Sequence, residues 1–274
     1  MKQSFAQRLR TRQQSCRSVL CVGLDPDPQR LPDVLRRTQP LAEALLTFNR
    51  AIIEATHASA CAFKLNLAFF EALGREGWRV LEETLAALPE EVLVIADAKR
   101  GDIGNSARFY AASAFDHLGC DACTVAPYMG RDAVSPFLQY PGKAAFVLGR
   151  TSNPGAADFQ DLDCEGEKLY LRVARYVAAW AADAPGEAGL VVGATDLAAL
   201  RAIRATCPDL PFLIPGVGAQ GGDARGVMEA AATAEGLVLV NSSRQILYAS
   251  SGLDFAEAAA REAENLRGML EAAR

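Results

Sequence analysis

Short apolar runs alternate along the chain with longer stretches in which apolar residues recur every three or four positions. The runs are "SVLCVGLD", "ACAFKLNLAF", "VLVIADAK", "ACTVAP", "AAFVLGRTS", "GLVVGAT", "PFLIPGVG" and "GLVLVNSS", eight in all. Both faces of such runs are apolar, as expected of parallel strands covered by helices. The stretches between them read as amphipathic helices: Leu41, Leu45, Phe48 and Ile52 fall on one face. A last helix is predicted to begin at Asp254, with Glu257 three residues on as in a capping box. Its buried stripe would be Phe255, Ala259, Leu266 and Met269 or Leu270. Asn105 is placed to cap the helix after the third run.

Eight strands alternating with helices in 274 residues is the count of a single (β/α)8 TIM barrel of the α/β class. A doubly wound sheet is the alternative, because strand count alone does not prove closure. No break in composition divides the chain, so one domain over 1–274 is expected. The polar stretch "TSNPGAADFQDLDCEGE" (151–167) reads as a long loop between strand and helix.

The positions of the chemically capable residues favour the barrel. Asp25, Lys64, Asp97, Lys99, Ser152 and Asn241 all fall at or just past the C-terminal ends of their runs. In barrel enzymes that end carries the active site. Asp97 and Lys99 are two apart on a strand and should point to one face. With Lys64 and Asp25 they would make an alternating array of ammonium and carboxylate groups, ionised at neutral pH because each charge favours its neighbour's. An ion-pair network that only ties strands together is the plainer reading. Four charged strand ends on one rim, costly to desolvate, favour a functional one.

The segment "PGVGAQGGD" (215–223) contains GxGxxG at Gly216, Gly218 and Gly221. A dinucleotide fingerprint requires an acid at the end of the next strand, and the chain has "VNSSR" there. A phosphate cradle fits better: glycine amides, a helix N-terminus near Gly222, the Gln220 side-chain amide and the Arg244 guanidinium. A plain glycine turn is the alternative.

Composition narrows the partners. The net charge of −5 and pI near 5.2 oppose a general nucleic-acid or membrane-surface binder, which needs a basic face, but not a small anionic ligand. The N-terminal "MKQSFAQRLRTRQQSC" lacks the apolar core of a signal peptide, and no run approaches the ~18 apolar residues of a membrane span. A soluble, cytoplasmic protein is expected. Seven cysteines, an odd number in a long chain, suit reduced thiols, and the "CDAC" pair lacks the second pair of a zinc ribbon. His57 and His117, the only histidines, fall in helical segments and read as structural.

The set "GLD" (23–25), "FKLNLAFFE" (63–71), "DAKRGDIGNSA" (97–107), "TSNPG" (151–155), "PGVGAQGGD" (215–223) and "NSSRQILYA" (241–249) resembles orotidine 5′-monophosphate decarboxylases over essentially the whole chain. The long loop and "NSSRQILYA" look like the bacterial subgroup with longer chains. The resemblance implies decarboxylation of the nucleotide to UMP, the last step of de novo pyrimidine nucleotide synthesis, without metal or cofactor. Lys99 would protonate C6 after CO2 leaves, Asp97 would face the substrate carboxylate, and Lys64 would join the charge network and touch the ribose. Asp25 would bind ribose hydroxyls, Ser152 the base, and Gln220 and Arg244 the phosphate. Gly221, Ser243 and Ser106 would complete the substrate contacts. Asp102 would enter the neighbouring subunit's site, making the enzyme a homodimer. Ser106 and Leu65 depart from the family's usual Thr and Pro.

Three rival readings stay open. A Mg2+-dependent sugar-phosphate decarboxylase or aldolase of the same barrel group would want more oxygen ligands than a site containing Lys64 offers. A Schiff-base aldolase would need a weakly basic Lys99, which Asp97 and Asp102 oppose. A non-catalytic barrel that binds a nucleotide would not require the acid–base array.

Overall fold

The computed structural model describes residues 3–217, 223–233 and 236–274. Among these residues, eight parallel strands close into a barrel: β1 (Leu20–Gly23), β2 (Ala62–Asn66), β3 (Leu93–Arg100), β4 (Ala122–Val125), β5 (Ala144–Arg150), β8 (Glu187–Val192), β9 (Phe212–Pro215) and β10 (Val238–Ser242). Closure comes where β1 pairs with both β2 and β10. Each of the eight apolar runs supplies one strand, and the barrel displaces the doubly wound alternative. The remaining two strands, β6 (Asp163–Cys164) and β7 (Glu167–Lys168), form a small antiparallel hairpin inside the long polar loop.

Strand alternation explains how one row of side chains makes both a floor and a site. Inward-facing positions begin apolar and end polar: Ala62 then Lys64 on β2, Leu93, Ile95 then Asp97 on β3, Ala122 then Thr124 on β4, Leu239 then Asn241 on β10. The lower, apolar members pack with Phe5 and Leu9 of the helix Phe5–Cys16, which plugs the bottom of the barrel. Phe5 meets Phe146 edge-on at 5.8 Å, and Ser4 and Gln7 close a capping box at the helix start. The alternate row, with Leu20, Val22, Phe63 and Leu65, faces the surrounding helices. Leu65 pairs in register with Ala96, so the strand carries Lys64 without a break.

Local expectations needed correction in four places. In the helix Leu41–Thr56, Leu45, Phe48 and Ile52 are buried, but Leu41 in its first turn is 46% exposed. Asn105 does not cap: the helix Gly104–Ala112 starts before it, and its amide oxygen accepts from Arg108. Asp254 makes no cap bond to the helix Phe255–Ala272; its carboxylate accepts from Ser250 and pairs with Arg261. That helix buries Phe255, Ala259, Leu266 and Leu270 and leaves Met269 exposed. The helix after β9 runs Ala224–Ala231, and the Asp223 carboxylate already accepts from the amides of Arg225 and Gly226, so those N–H groups do not face an incoming anion.

All seven cysteines are free. Burial pushes the Cys21 and Cys120 thiols up to about 12, which keeps them as inert thiols. Among the described residues no helix is long and apolar enough to cross a membrane.

Candidate active site

The polar strand ends open into one cavity of about 730 Å3 at the C-terminal mouth of the barrel. Such a volume suits a small-molecule ligand. Asp25, Lys64, Asp97, Lys99, Ser152, Asn241, Ser243 and Arg244 all line it.

The charges form a continuous chain. The Lys64 ammonium lies 3.6 Å from Asp25 Oδ1 and donates to Asp97 Oδ2 at 2.9 Å. Lys99 donates to the other Asp97 oxygen at 2.6 Å. Burial works against the charge on Lys64, but the Asp25 and Asp97 carboxylates outweigh it and raise its pKa above the ordinary lysine value. Burial likewise opposes the Asp97 carboxylate, and the Lys64 and Lys99 ammonium groups overcome it and hold the carboxyl well below its usual range. Lys64 and Asp97 therefore each hold the other in its charged form. Only Lys99 is open: its side chain is 47% exposed, against 5% for Lys64 and 9% for Asp97.

Asp97 and Lys99 do meet, although regular alternation is not the whole reason. The pairing of β3 with β4 shifts between Ala96 and Arg100, and Lys99 has a left-handed backbone at φ 47°. That conformation is uncommon for a side-chain-bearing residue and is held here by its surroundings. Thr124 is the holder: its hydroxyl accepts from the Lys99 N–H at 2.9 Å and donates to Asp97 Oδ1 at 2.8 Å. Thr124 stands outside every motif read from the sequence. Its position two residues after Ala122, on the inward row of β4, was the available clue.

Asp25 is fixed from the opposite side. One carboxylate oxygen accepts from the Asn66 N–H at 3.0 Å, the other from the Ser243 hydroxyl at 2.8 Å. Gly23 allows this approach, since a Cβ there would lie 1.8 Å from Ser243 Oγ. Ser152 sits on the loop after β5, beside Arg150. Arg150 grips both Asp161 oxygens at 2.9 Å and donates to the Thr151 carbonyl at 2.8 Å. Gln160 accepts from the Thr151 N–H, so the long loop is tied back onto the wall of the cavity.

Asp102 and Ser106 are not among the lining residues; Asp102 accepts from the Ile103 N–H, and Ser106 lies exposed on the helix Gly104–Ala112. Gln220 and Gly221 lie outside the described residues, while Gly216 and Val217 just before them line the cavity. His117 is exposed and pairs with Glu82, and His57 ends a helix, so neither enters the site.

Comparison with known proteins gives this geometry a family. Residues 18–260 match the model of the orotidine 5′-phosphate decarboxylase / HUMPS family. An orotidine 5′-phosphate decarboxylase of Herpetosiphon aurantiacus is 49% identical over 262 residues, 95% of either chain. The solved structure of Leishmania donovani OMP decarboxylase is 40% identical with a TM-score of 0.81, covering 97% of this chain and 99% of that one. Leishmania donovani UMP synthase is 42% identical with a TM-score of 0.84, and this chain spans 57% of its length. With a relative of nearly half identity matched end to end and a model spanning the barrel, the chain belongs to the orotidine 5′-phosphate decarboxylase / HUMPS family.

Proposed function

We infer that this chain is a carboxy-lyase that converts orotidine 5′-monophosphate to UMP and CO2, the step that ends de novo pyrimidine nucleotide synthesis. The observation that carries the reading is the Asp25–Lys64–Asp97–Lys99 chain lining the cavity, with Lys99 its one well-exposed member. The C6–carboxylate bond breaks, its electron pair stays on C6, and CO2 leaves. The Lys99 ammonium stabilises that developing charge and gives it a proton, and solvent reprotonates the amine. Asp97 faces the departing carboxylate and, through Lys64 and Thr124, keeps Lys99 aimed. Asp25 and Lys64 hold the ribose, Ser152 the base, and Arg244 with Gln220, Gly221 and Ser243 the phosphate. Ser243 is already hydrogen-bonded to Asp25, so it joins the ribose and phosphate ends.

The reaction requires only the chain's own groups. A Mg2+-dependent sugar-phosphate lyase is disfavoured because both site carboxylates are already paired with ammonium groups, where a hard cation would need them free. A Schiff-base lysine is disfavoured by the carboxylate 2.6 Å from Lys99.

The active form is a cytoplasmic homodimer in which each subunit is one domain over residues 1–274. Ile103 and Phe109 are exposed beside Asp102 and Ser106 in sequence, and Tyr128 and Met129 are exposed just before Arg131–Val134, the short helix that contacts the helix Gly104–Ala112. An apolar patch of that kind suits a self-complementary interface. It would place Asp102, and Ser106 behind it, at the partner's cavity.

The test is the ultraviolet absorbance change of orotidine 5′-monophosphate with purified protein, with and without EDTA, beside the phosphate-free nucleoside. Turnover that survives EDTA and drops at least about a hundredfold for the nucleoside is expected, because remote phosphate binding orders the site. Turnover that EDTA abolishes and Mg2+ restores would favour the sugar-phosphate reading. Nucleotide binding without turnover would favour a non-catalytic barrel.

A further inference from the structure

Tyr248 ends the short helix Arg244–Leu247, and it lines the same cavity as Asp25. Its hydroxyl accepts from the Asp27 N–H at 2.7 Å and reaches the Asp25 carbonyl oxygen at 3.3 Å as a donor. Both partners are main-chain groups of the loop after β1, the loop that carries the Asp25 carboxylate. The ring is held independently of its hydroxyl: Phe48 stacks with it at 6.2 Å between centroids, and the Arg30 guanidinium lies 3.8 Å over it. The Asp25 side chain is meanwhile held by Asn66, Ser243 and Lys64. The carboxylate is thus braced through its oxygens, and its backbone through a phenol that belongs to the Arg244 segment. The Tyr248 N–H also closes onto the Arg244 carbonyl at 3.2 Å.

We propose that Tyr248 is a positioning residue that sets the Asp25 carboxylate for the ribose and couples that setting to the Arg244 end of the cavity. The proposal rests on reading Asp25 as the ribose ligand. One phenol oxygen bonded to residues 25 and 27 fixes the short arc between them. A carboxylate displaced by a fraction of an ångström loses hydrogen bonds whose worth depends on distance and angle. Removing the oxygen also leaves the Asp27 N–H without its partner.

The experiment compares wild type and Tyr248→Phe on orotidine 5′-monophosphate and on its 2′- and 3′-deoxyribose analogues. The variant keeps the ring and its stacking and loses only the oxygen. On the full substrate kcat/KM should fall about tenfold, the scale of one or two mis-set hydrogen bonds. On the analogue lacking the hydroxyl that Asp25 binds, the fall should be less than about twofold, since the two losses share one interaction. A partly unfolded preparation lowers all substrates equally and leaves this ratio untouched. Equal falls on every substrate, or none on any, would overturn the positioning role. A wild type that handles all three substrates alike would overturn the ribose assignment of Asp25, and the proposal with it; that failure is read from the wild type alone.

Discussion

Asp97 touches Lys64, Lys99 and Thr124 at once, and its acidity records that company. Burial opposes its charge, the two ammonium groups outweigh burial, and the carboxyl sits well below its usual range. A carboxylate whose folded pKa is depressed contributes stability that is fully present above the unfolded value, about pH 4. That contribution is lost as pH falls through the lowered folded value. Asp97→Asn should therefore melt at a lower temperature than wild type at pH 7, and the gap should narrow below about pH 4. Thermal unfolding across that range checks it; a gap that widens on acidification would contradict the assigned direction. The charged residues themselves were legible because each interrupts an apolar run at its end. The left-handed backbone of Lys99 was not, since Thr124, which holds it, lies on another strand.

At the scale of elements, all eight barrel strands were readable, because burial on both faces makes them continuous apolar runs. Caps and termini were less so. Asp254 and Asn105 found nearby side-chain partners in place of backbone amides, a competition that short polar side chains often enter. The N-terminal helix was hidden because only two of its three deeply buried residues, Phe5 and Leu9, are apolar and the third is Gln13, yet it seals the barrel floor. The loop after β5 shows how packing between elements sets a site. Gly193, just past β8, lies so close that a Cβ there would stand 2.9 Å from both N and Cβ of Ser152. Gly193→Ala should displace Ser152 and, with Ser152 as the proposed base contact, raise KM about tenfold with a smaller change in melting temperature. Steady-state kinetics beside a melting curve decide this; an unchanged KM would remove Ser152 from the base contacts.

At the scale of the whole molecule, Asp102 is not among the residues lining the cavity, and the exposed Ile103 and Phe109 that follow it suit the proposed partner subunit that would bring it to a site. Shared sites allow complementation. Lys99→Ala and Asp102→Ala homodimers should each be nearly inactive. Mixed in equal amounts and allowed to exchange, they form heterodimers in which one site keeps both residues. About a quarter of all sites, and so about a quarter of wild-type activity, should return. Activity that stays at the sum of the two variants after proven exchange would place Asp102 outside the partner's site. The expectation of a shared site comes only from the resemblance, because an interface leaves no periodic mark on a strand or helix.

The most direct test of the central claim is the turnover of Lys99→Ala on orotidine 5′-monophosphate, measured beside its affinity for UMP. Lys99 is the open end of a chain of otherwise buried charges, so its removal should spare folding and product binding. The expected result is a fall in kcat of at least about a thousandfold, the combined scale of lost proton transfer and lost charge stabilisation, with UMP affinity within about tenfold of wild type. A variant that keeps more than about a tenth of wild-type kcat would contradict the assignment of Lys99 as the proton donor.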